Sequence, residues 1–245
     1  MLKITGKINQ DNAALICIAG NLCSPQVFDQ IQAPEGMQKL YLDYLQSPGP
    51  WDMDFLGAEL VNTIQNMSFP KTFLAGYSAG GVLAISAACK APDLFAGLLL
   101  SNTGPCSIGH GNPGFAQELK DRFEDEEYIR TFLRSCFYHP ITPEMENQLF
   151  AYTRTVSPQA AFEVSDSLRR VDYRNALSRY KNPVMIAHGR LDTRRKLDSV
   201  AMLQECLPQA EIMLLETGHT PMMEDPAGYQ DALNRLVRRC GTGSV

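Results

Sequence analysis

A serine flanked by glycines is the residue of this sequence whose surroundings point most directly to chemistry. The segment GYSAG, residues 76–80, follows an apolar run of strand length, residues 72–75, and precedes an alanine-rich run of helical character. A serine at such a strand-to-helix turn is typical of a nucleophile elbow. A side chain at Gly76 or Gly80 would collide across so sharp a turn, so both positions require glycine. Because similar turns occur without chemistry, the hypothesis that Ser78 is a nucleophile requires a base and an acid elsewhere.

An acid and a base follow two later strand-like runs. Ligands of an open α/β sheet bind beyond the carboxyl ends of the strands, so functional residues should come directly after apolar runs. Asp192 follows residues 184–188, and His219 follows residues 212–215. The chain order serine, acid, base is the one associated with the elbow. His219 would take the proton of Ser78 and return it to the leaving group, while Asp192 would hold the imidazole in the required tautomer.

Each of these side chains also has a purely structural explanation. His219 could cap the turn before Pro221, and Asp192 could cap a helix beginning near Thr193, although an aspartate can fill both roles. His188 is the weaker candidate for the base, because its place at the end of an apolar run predicts that it points into the fold.

An oxyanion in the transition state needs two hydrogen-bond donors. The N–H of Ala79, next to the nucleophile, would supply the first, and the loop after an earlier strand would supply the second. That loop is residues 20–22, in which we favour the N–H of Asn21, followed by that of Leu22. An ordinary turn is the alternative, since a backbone donor leaves no signature in the residue type.

Apolar runs of strand length alternate with segments of helical spacing along most of the chain. The strand-like runs are residues 13–19, 39–45, 72–75, 97–101, 184–188 and 211–215. The helical segments are residues 26–32, 54–67, 79–90, 196–207 and 227–239. Unbroken apolar strands belong to sheets that are covered on both faces. The alternation therefore predicts an α/β fold with a mostly parallel, doubly wound sheet.

Between residues 103 and 182 this alternation stops. Only helical segments are predicted there, at residues 115–122, 126–136, 143–155 and 158–168. We predict a helical lid over residues 105–181, inserted into a core formed by residues 1–104 and 182–245. Aromatic side chains would form an apolar roof over the strand ends; they are Phe115, Phe123, Phe132, Phe137, Tyr138, Phe150, Tyr152 and Phe162. His110 and His139 also lie in this interval and are predicted to face solvent.

The composition of the 245-residue chain is that of an ordinary soluble domain, with 44% hydrophobic and 20% charged residues. A net charge of -5 gives no global attraction to nucleic acid or to an anionic membrane, so neither partner is predicted. The chain start lacks a secretory pattern, which predicts a cytosolic protein. Seven cysteines without a close Cys-x-x-Cys pair favour reduced thiols over disulfides or a zinc site.

Basic residues gather in two places, which are Arg169, Arg170 and Arg174, and then Arg194, Arg195 and Lys196. Solvated helix faces explain such clusters more often than a patch for an acidic ligand or a carrier protein does, so we predict exposed faces.

Nearly the whole chain resembles the α/β-hydrolase superfamily, and in particular its compact lidded members. These include carboxylesterases, acyl-carrier-protein methyl ester esterases, enol-lactonases and carbon-carbon bond hydrolases. The matching stretches are residues 19–21 with Phe28, residues 76–81, residues 188–192 and residues 218–226. The resemblance implies a small ester or thioester substrate, an acyl-carrier protein as a candidate partner, and neither a metal nor an organic cofactor.

Two stretches depart from the family pattern. Ala19-Gly20 replaces the His-Gly of many relatives, and residues 42–50 replace the usual Asp-x-Pro-Gly-x-Gly turn. These departures concern the oxyanion loop and the pocket, and they leave Ser78, Asp192 and His219 untouched.

Three functions fit these residues. The favoured one is a serine hydrolase that cleaves a small carboxylic ester or thioester through an acyl-serine intermediate. The same residues could also serve carbon-carbon bond hydrolysis or a lyase-like proton abstraction. A non-catalytic receptor for a small ligand is disfavoured, because all the roles of a triad are filled.

Overall fold

Seven strands form the central sheet of this computed structural model, which describes residues 2–107 and 111–241. The strands are β1 (Ile4–Thr5), β2 (Ala13–Ile18), β3 (Met37–Leu42), β4 (Thr72–Tyr77), β5 (Gly97–Ser101), β6 (Val184–Gly189) and β7 (Glu211–Leu215). Their order is β1-β3-β2-β4-β5-β6-β7, and every pair is parallel except β1 with β3. The predicted α/β class is confirmed. The short edge strand β1 was not predicted.

Helices cover both faces of the sheet, which explains why β4, β5 and β6 are buried along their whole length. The helices are α1 (Met53–Met67), α2 (Ala79–Lys90), α3 (Phe115–Asp121), α4 (Glu126–Arg134), α5 (Pro143–Thr153), α6 (Pro158–Arg170), α7 (Arg174–Leu177), α8 (Asp198–Cys206), α9 (Pro221–Glu224) and α10 (Pro226–Arg239). In the described part of the chain, no helix is long and apolar enough to cross a membrane.

The helix predicted at residues 26–32 is wrong, because only a 3₁₀ turn, Pro25–Phe28, forms there. The ammonium group of Lys39 donates to the carbonyl oxygens of Phe28, Asp29 and Ile31, at 3.0, 3.1 and 2.6 Å. A continuing helix would need those carbonyls as acceptors for its own N–H groups. The charged donor of β3 binds all three carbonyls, and the backbone keeps a tight turn there, in which the N–H of Ile31 donates to Phe28 at 3.0 Å.

The chain between β5 and β6 is helical, as the sequence predicts. Its two ends meet, since Cys106 forms a bridge with Asp172 and the N–H of Tyr173 donates to the carbonyl of Pro105 at 2.9 Å. Helices α5 and α6 begin at proline residues that follow Thr142 and Ser157, whose hydroxyls accept N–H groups of the first turn. The limits of the insertion and its role as a lid stay predictions, and His110 lies outside the described residues.

Candidate active site

Ser78 occupies a strained turn directly between β4 and α2. Its backbone has φ 54° and ψ -119°, a region that costs a non-glycine residue on the order of 1–3 kcal/mol. Hydrogen bonds on both sides hold this conformation. The N–H of Ser78 donates to the carbonyl of Ser101 at 2.9 Å, and the hydroxyl of Thr103 donates to the carbonyl of Ser78 at 2.7 Å.

The glycines around Ser78 permit this turn, as the sequence predicts. A Cβ atom at Gly76 would lie 2.7 Å from the carbonyl oxygen of Gly80 and from the Cα of Gly81. A Cβ atom at Gly80 would overlap the carbonyl oxygens of Ile18 and Ala19 at the end of β2. Both obstacles are backbone atoms, which cannot rotate away.

The structure brings Ser78, His219 and Asp192 together from three separate loops. The Nε2 atom of His219 lies 3.0 Å from the Oγ of Ser78, and its Nδ1 atom lies 2.7 Å from the Oδ2 of Asp192. An ionised carboxylate only accepts hydrogen bonds, so Nδ1 carries the proton and Nε2 is free to accept one from the serine. The N–H of His219 donates to the carbonyl of Cys136 at 3.1 Å, which ties the loop of the base to the helical insertion.

Asp192 is buried and receives hydrogen bonds at both carboxylate oxygens. Its Oδ1 accepts the N–H groups of Arg194 and Arg195 at 2.8 and 3.0 Å, and its Oδ2 accepts Nδ2 of Asn102 at 2.6 Å in addition to His219. Burial by itself would raise the pKa of Asp192, but its electrostatic interaction with His219 and these hydrogen bonds outweigh burial and lower the pKa to about 2. Asp192 therefore fills both roles, since it caps the turn at residues 193–195 and contacts the base. Helix α8 begins only after that turn.

Asn102 is a component of the site that sequence reasoning missed. Its backbone has φ 48°, and its amide donates to Asp192 at 2.6 Å and to the carbonyl of Gly218 at 3.2 Å. Its Oδ1 accepts the N–H of Gly189 at 3.3 Å. The side chain therefore joins the loops after β5, β6 and β7. Asn102 directly follows the apolar run of β5, so the strand-end rule that pointed to Asp192 could also have found it.

His188 has a structural position, away from the serine. Its side chain is fully buried, and its Nε2 donates to the carbonyl of Arg195 at 2.8 Å. This agrees with the prediction that His188 points into the fold and leaves His219 as the base within reach of Ser78.

The loop after β2 faces the serine, as expected for an anion site. A Cβ atom at Gly20 would lie 3.1 Å from Cβ and 3.5 Å from Oγ of Ser78. The N–H of Leu22 is already used by the Oδ1 of Asn21, at 3.0 Å, so the N–H of Asn21 remains the better candidate donor. Ala79 begins α2, and the first N–H groups of a helix have no partner within it. The assignment of these two donors stays a prediction.

Known proteins share both the sequence pattern and the fold. No family model matches the chain. A pimeloyl-[acyl-carrier protein] methyl ester esterase of Klebsiella pneumoniae is 24% identical over 96% of this chain and 97% of its own. A 3-oxoadipate enol-lactonase of Acinetobacter baylyi is 22% identical over 78% of this chain and 73% of its own.

Solved structures of hydrolases superpose on nearly all of the chain. An esterase from Exiguobacterium antarcticum has a TM-score of 0.81 at 17% identity and covers 97% of this chain and 94% of its own. The enol-lactonase of Burkholderia xenovorans has a TM-score of 0.78 at 15% identity and covers 97% and 96% of the two chains. The chain resembles members of the α/β-hydrolase superfamily in sequence, and it shares their fold. The predicted resemblance is confirmed.

Within this fold a cavity of about 550 Å³ opens above Ser78. Its floor includes Gly20, Asn21, Ala79 and His219. The insertion supplies much of the wall, and two of the aromatic residues predicted to form a roof, Phe115 and Phe132, line the cavity with their rings stacked at 5.6 Å. Among residues 2–107 and 111–241, no group of three or more His, Cys, Asp or Glu side chains is placed to hold a metal ion.

Proposed function

We propose that the protein is a serine hydrolase that cleaves a small carboxylic ester or thioester through an acyl-serine intermediate. The observation that carries this proposal is the unbroken chain of hydrogen bonds from Ser78 through His219 to Asp192, with distances of 3.0 and 2.7 Å, at the floor of the cavity. A nucleophile, a base and an orienting acid in hydrogen-bond contact are the arrangement that acyl transfer through serine requires.

The proposed reaction has two steps, acylation of Ser78 and hydrolysis of the acyl-serine. His219 Nε2 takes the hydroxyl proton as Ser78 Oγ attacks the carbonyl carbon, and the N–H groups of Asn21 and Ala79 stabilise the oxyanion. The imidazolium then gives its proton to the leaving alcohol or thiol as the acyl-serine forms. Water, deprotonated by His219, releases the acid in the second step. Asp192 stays ionised throughout, consistent with a pKa of about 2.

The names of the relatives favour an ester as the substrate. They include a methyl ester esterase, an enol-lactonase and an esterase, all of which break a carbon-oxygen bond of an acyl group. One of those names specifies an ester attached to an acyl-carrier protein. A carrier protein as the partner of this chain remains a proposal, in line with the sequence prediction.

Replacing the nucleophile tests the proposal. Ser78→Ala should lose at least about ten-thousandfold in kcat on an aryl ester while remaining folded, because the attacking oxygen is gone. A fluorophosphonate probe should label Ser78 in the wild type, as read by mass spectrometry of the peptides.

Ser68 provides a matched control, since it also has φ 54° but is an exposed residue at the end of α1. Ser68→Ala makes the same side-chain change at another position of positive φ, which lies in the left-handed region, and it should keep the activity and the labelling. Substantial turnover by Ser78→Ala, or labelling at another residue, would contradict the proposed mechanism.

A further inference from the structure

The walls of the active-site cavity carry more positive than negative charge. Among the described residues that line it, three arginines, Arg169, Arg194 and Arg195, stand against the single carboxylate of Glu118. The prediction that both basic clusters form exposed faces is therefore wrong for Arg169, Arg194 and Arg195, which are half-buried and line the cavity.

The guanidinium of Arg195 has few partners. Its Nη2 donates to the carbonyl of Cys106 at 2.5 Å, while its Nε is buried without a hydrogen-bond partner. No carboxylate of the described residues forms an ion pair with it. The charge of Asp192 favours the protonated guanidinium from a distance, but the hydrogen bonds of that carboxylate go to His219, Asn102 and backbone N–H groups. Burial lowers the pKa of Arg195 to about 10, so the group is still charged at neutral pH.

The position of this guanidinium is fixed at both ends of the residue. At the backbone, the N–H of Arg195 donates to Asp192 at 3.0 Å, and its carbonyl accepts Nε2 of His188 at 2.8 Å. At the side chain, the guanidinium lies against Gly104, where an added Cβ atom would overlap Nη2. Gly104 follows Thr103, whose hydroxyl donates to the carbonyl of Ser78, and both Arg195 and Ser78 line the cavity.

Arg194 is better satisfied by the protein. Its Nη1 donates to the hydroxyl of Ser135 at 2.8 Å, and its guanidinium lies 4.2 Å from the centre of the Phe132 ring. Such stacking on an aromatic face is favourable for a guanidinium. Arg195, with its unpaired Nε, therefore has more unused hydrogen-bonding capacity than Arg194.

A charge that is partly removed from water and has no ion-pair partner is unfavourable, and proteins usually pair it. We propose that the substrate carries a carboxylate in addition to its ester bond and that this carboxylate binds the Arg195 guanidinium. This inference rests on the proposed function, since it names the class of ester that the hydrolase prefers. A guanidinium matches a carboxylate in shape and charge, and Arg169 and Arg194 add to the positive surroundings.

Two pairs of esters test the inference and separate the two parts of the substrate. The first pair is the mono-4-nitrophenyl ester of glutarate and 4-nitrophenyl pentanoate, which place the charge in the acyl part. The second pair is 4-carboxyphenyl pentanoate and 4-carbamoylphenyl pentanoate, which place it in the alcohol part. For each pair the ratio of kcat/KM, charged over uncharged, is measured for the wild type, Arg195→Gln and Arg190→Gln. Arg190 is an exposed arginine that pairs with Glu216, away from the cavity lining.

For one of the two pairs we expect the ratio of kcat/KM to fall about tenfold to a hundredfold in Arg195→Gln, which is the usual effect of losing a hydrogen bond to a charged group. In Arg190→Gln the ratio should stay unchanged. The pair that responds identifies the part of the substrate that bears the carboxylate. Because both esters are measured on one preparation, partial unfolding cancels in the ratio. Gly104→Ala, which displaces the guanidinium and keeps its charge, should lower the same ratio by less. Unchanged ratios in both pairs would overturn the inference.

Binding without turnover separates this inference from the proposed function. If the wild type cleaves none of the four esters, the proposed ester hydrolysis is contradicted, whatever the result for Arg195. The carboxylate site is then tested by calorimetric titration of glutarate into the wild type and Arg195→Gln. We expect binding about tenfold weaker in the variant. Equal binding to the two proteins would refute the site.

Discussion

At the scale of the residue, Asn102 shows how a neutral side chain can position a charged one. Its amide donates to the same carboxylate oxygen of Asp192 that faces His219. It also bonds the carbonyl of Gly218, the residue next to the base. Losing the amide would leave the acid less well oriented and would loosen the loop of the base. Asn102 is therefore a positioning residue, since it acts through Asp192 and His219.

Substituting Asn102 should lower kcat more than it raises KM. We expect both Asn102→Gly and Asn102→Ala to lose about tenfold to a hundredfold in kcat, as for a lost hydrogen bond to a charged group. Asn102→Gly should be the more stable variant, because glycine accepts a φ of 48° and alanine does so with strain. Steady-state kinetics and urea unfolding measure the two effects. A glycine variant with the kcat of the wild type would show that the amide does not position Asp192.

His188 should make stability depend on pH. Burial lowers the pKa of His188 from 6.5, outweighing the carboxylate of Asp192, which lies 4.0 Å from Nε2. The carbonyl of Arg195 also favours the protonated ring, whereas the charges of His219 and of the Arg195 guanidinium oppose it. Among the described residues, Nδ1 has no hydrogen-bond partner that could hold a second proton. The folded protein therefore takes up this proton less readily than the unfolded chain.

The sign of the effect follows from this difference. The stability that neutral His188 contributes is complete above pH 6.5 and is lost as the pH falls from 6.5 through the lowered pKa of the folded state. In His188→Gln this part of the pH dependence should be absent. Urea unfolding of both proteins between about pH 7.5 and about pH 5 measures it. Parallel pH curves would show that His188 titrates alike in both states.

At the scale of the element, the loop after β2 is attached to helix α6. The amide of Asn21 donates to the carbonyl of Ala161 at 2.9 Å and to the hydroxyl of Ser165 at 2.8 Å. The hydroxyl of Thr153, at the end of α5, donates to the carbonyl of Leu22 at 2.9 Å. The insertion thus holds the backbone that would stabilise the oxyanion.

Breaking this attachment should lower activity without touching the triad. We expect Asn21→Ala to lose about tenfold in kcat, because the loop loses both contacts to α6 and the bond that fixes Leu22. Ser165→Ala removes one contact and should lose about threefold. In the double variant the losses should not add, because both remove the same hydrogen bond. Additive losses would argue that Ser165 acts independently of the loop.

At the scale of the whole molecule, the fold keeps its seven cysteines as free thiols. The buried ones are Cys17, Cys106, Cys136 and Cys206. Burial raises the pKa of Cys17 to about 12 and that of Cys136 to about 11, which disfavours the reactive thiolate. The stability of the protein then depends on packing and needs no oxidising environment.

Thiol counting checks this description. A thiol reagent should modify at most three cysteines of the native protein quickly and all seven in urea, because four side chains are buried. The melting temperature should be the same with and without a reducing agent. Fewer than seven reactive thiols in urea, restored by reduction, would reveal a disulfide.

Much of the fold followed from local pattern. The apolar runs of β2, β4, β5 and β6 were found at nearly their observed limits, because a strand covered on both faces must be apolar throughout. The sequence does not predict the two-residue strand β1, because it is too short to show a period. The local pattern predicts a helix at residues 26–32 instead of the turn at Pro25–Phe28, because the donor that binds the carbonyls there, Lys39, belongs to β3 and lies outside that pattern.

The sequence by itself determined the sharp turn at Ser78, since only glycine fits at Gly76 and Gly80, and it determined that an acid and a base follow later strands. These are matters of residue type and order, which the chain carries locally. Tertiary structure decided that Asn102 and His219 both bond the carboxylate of Asp192 and that the guanidinium of Arg195 has no ion-pair partner among the described residues. Asn102 gained its role because three loops converge on it, and Arg195 gained its place in the cavity because Gly104 leaves room for its guanidinium. Such relations join residues far apart along the chain, so they exist only once the sheet has brought its strand ends together.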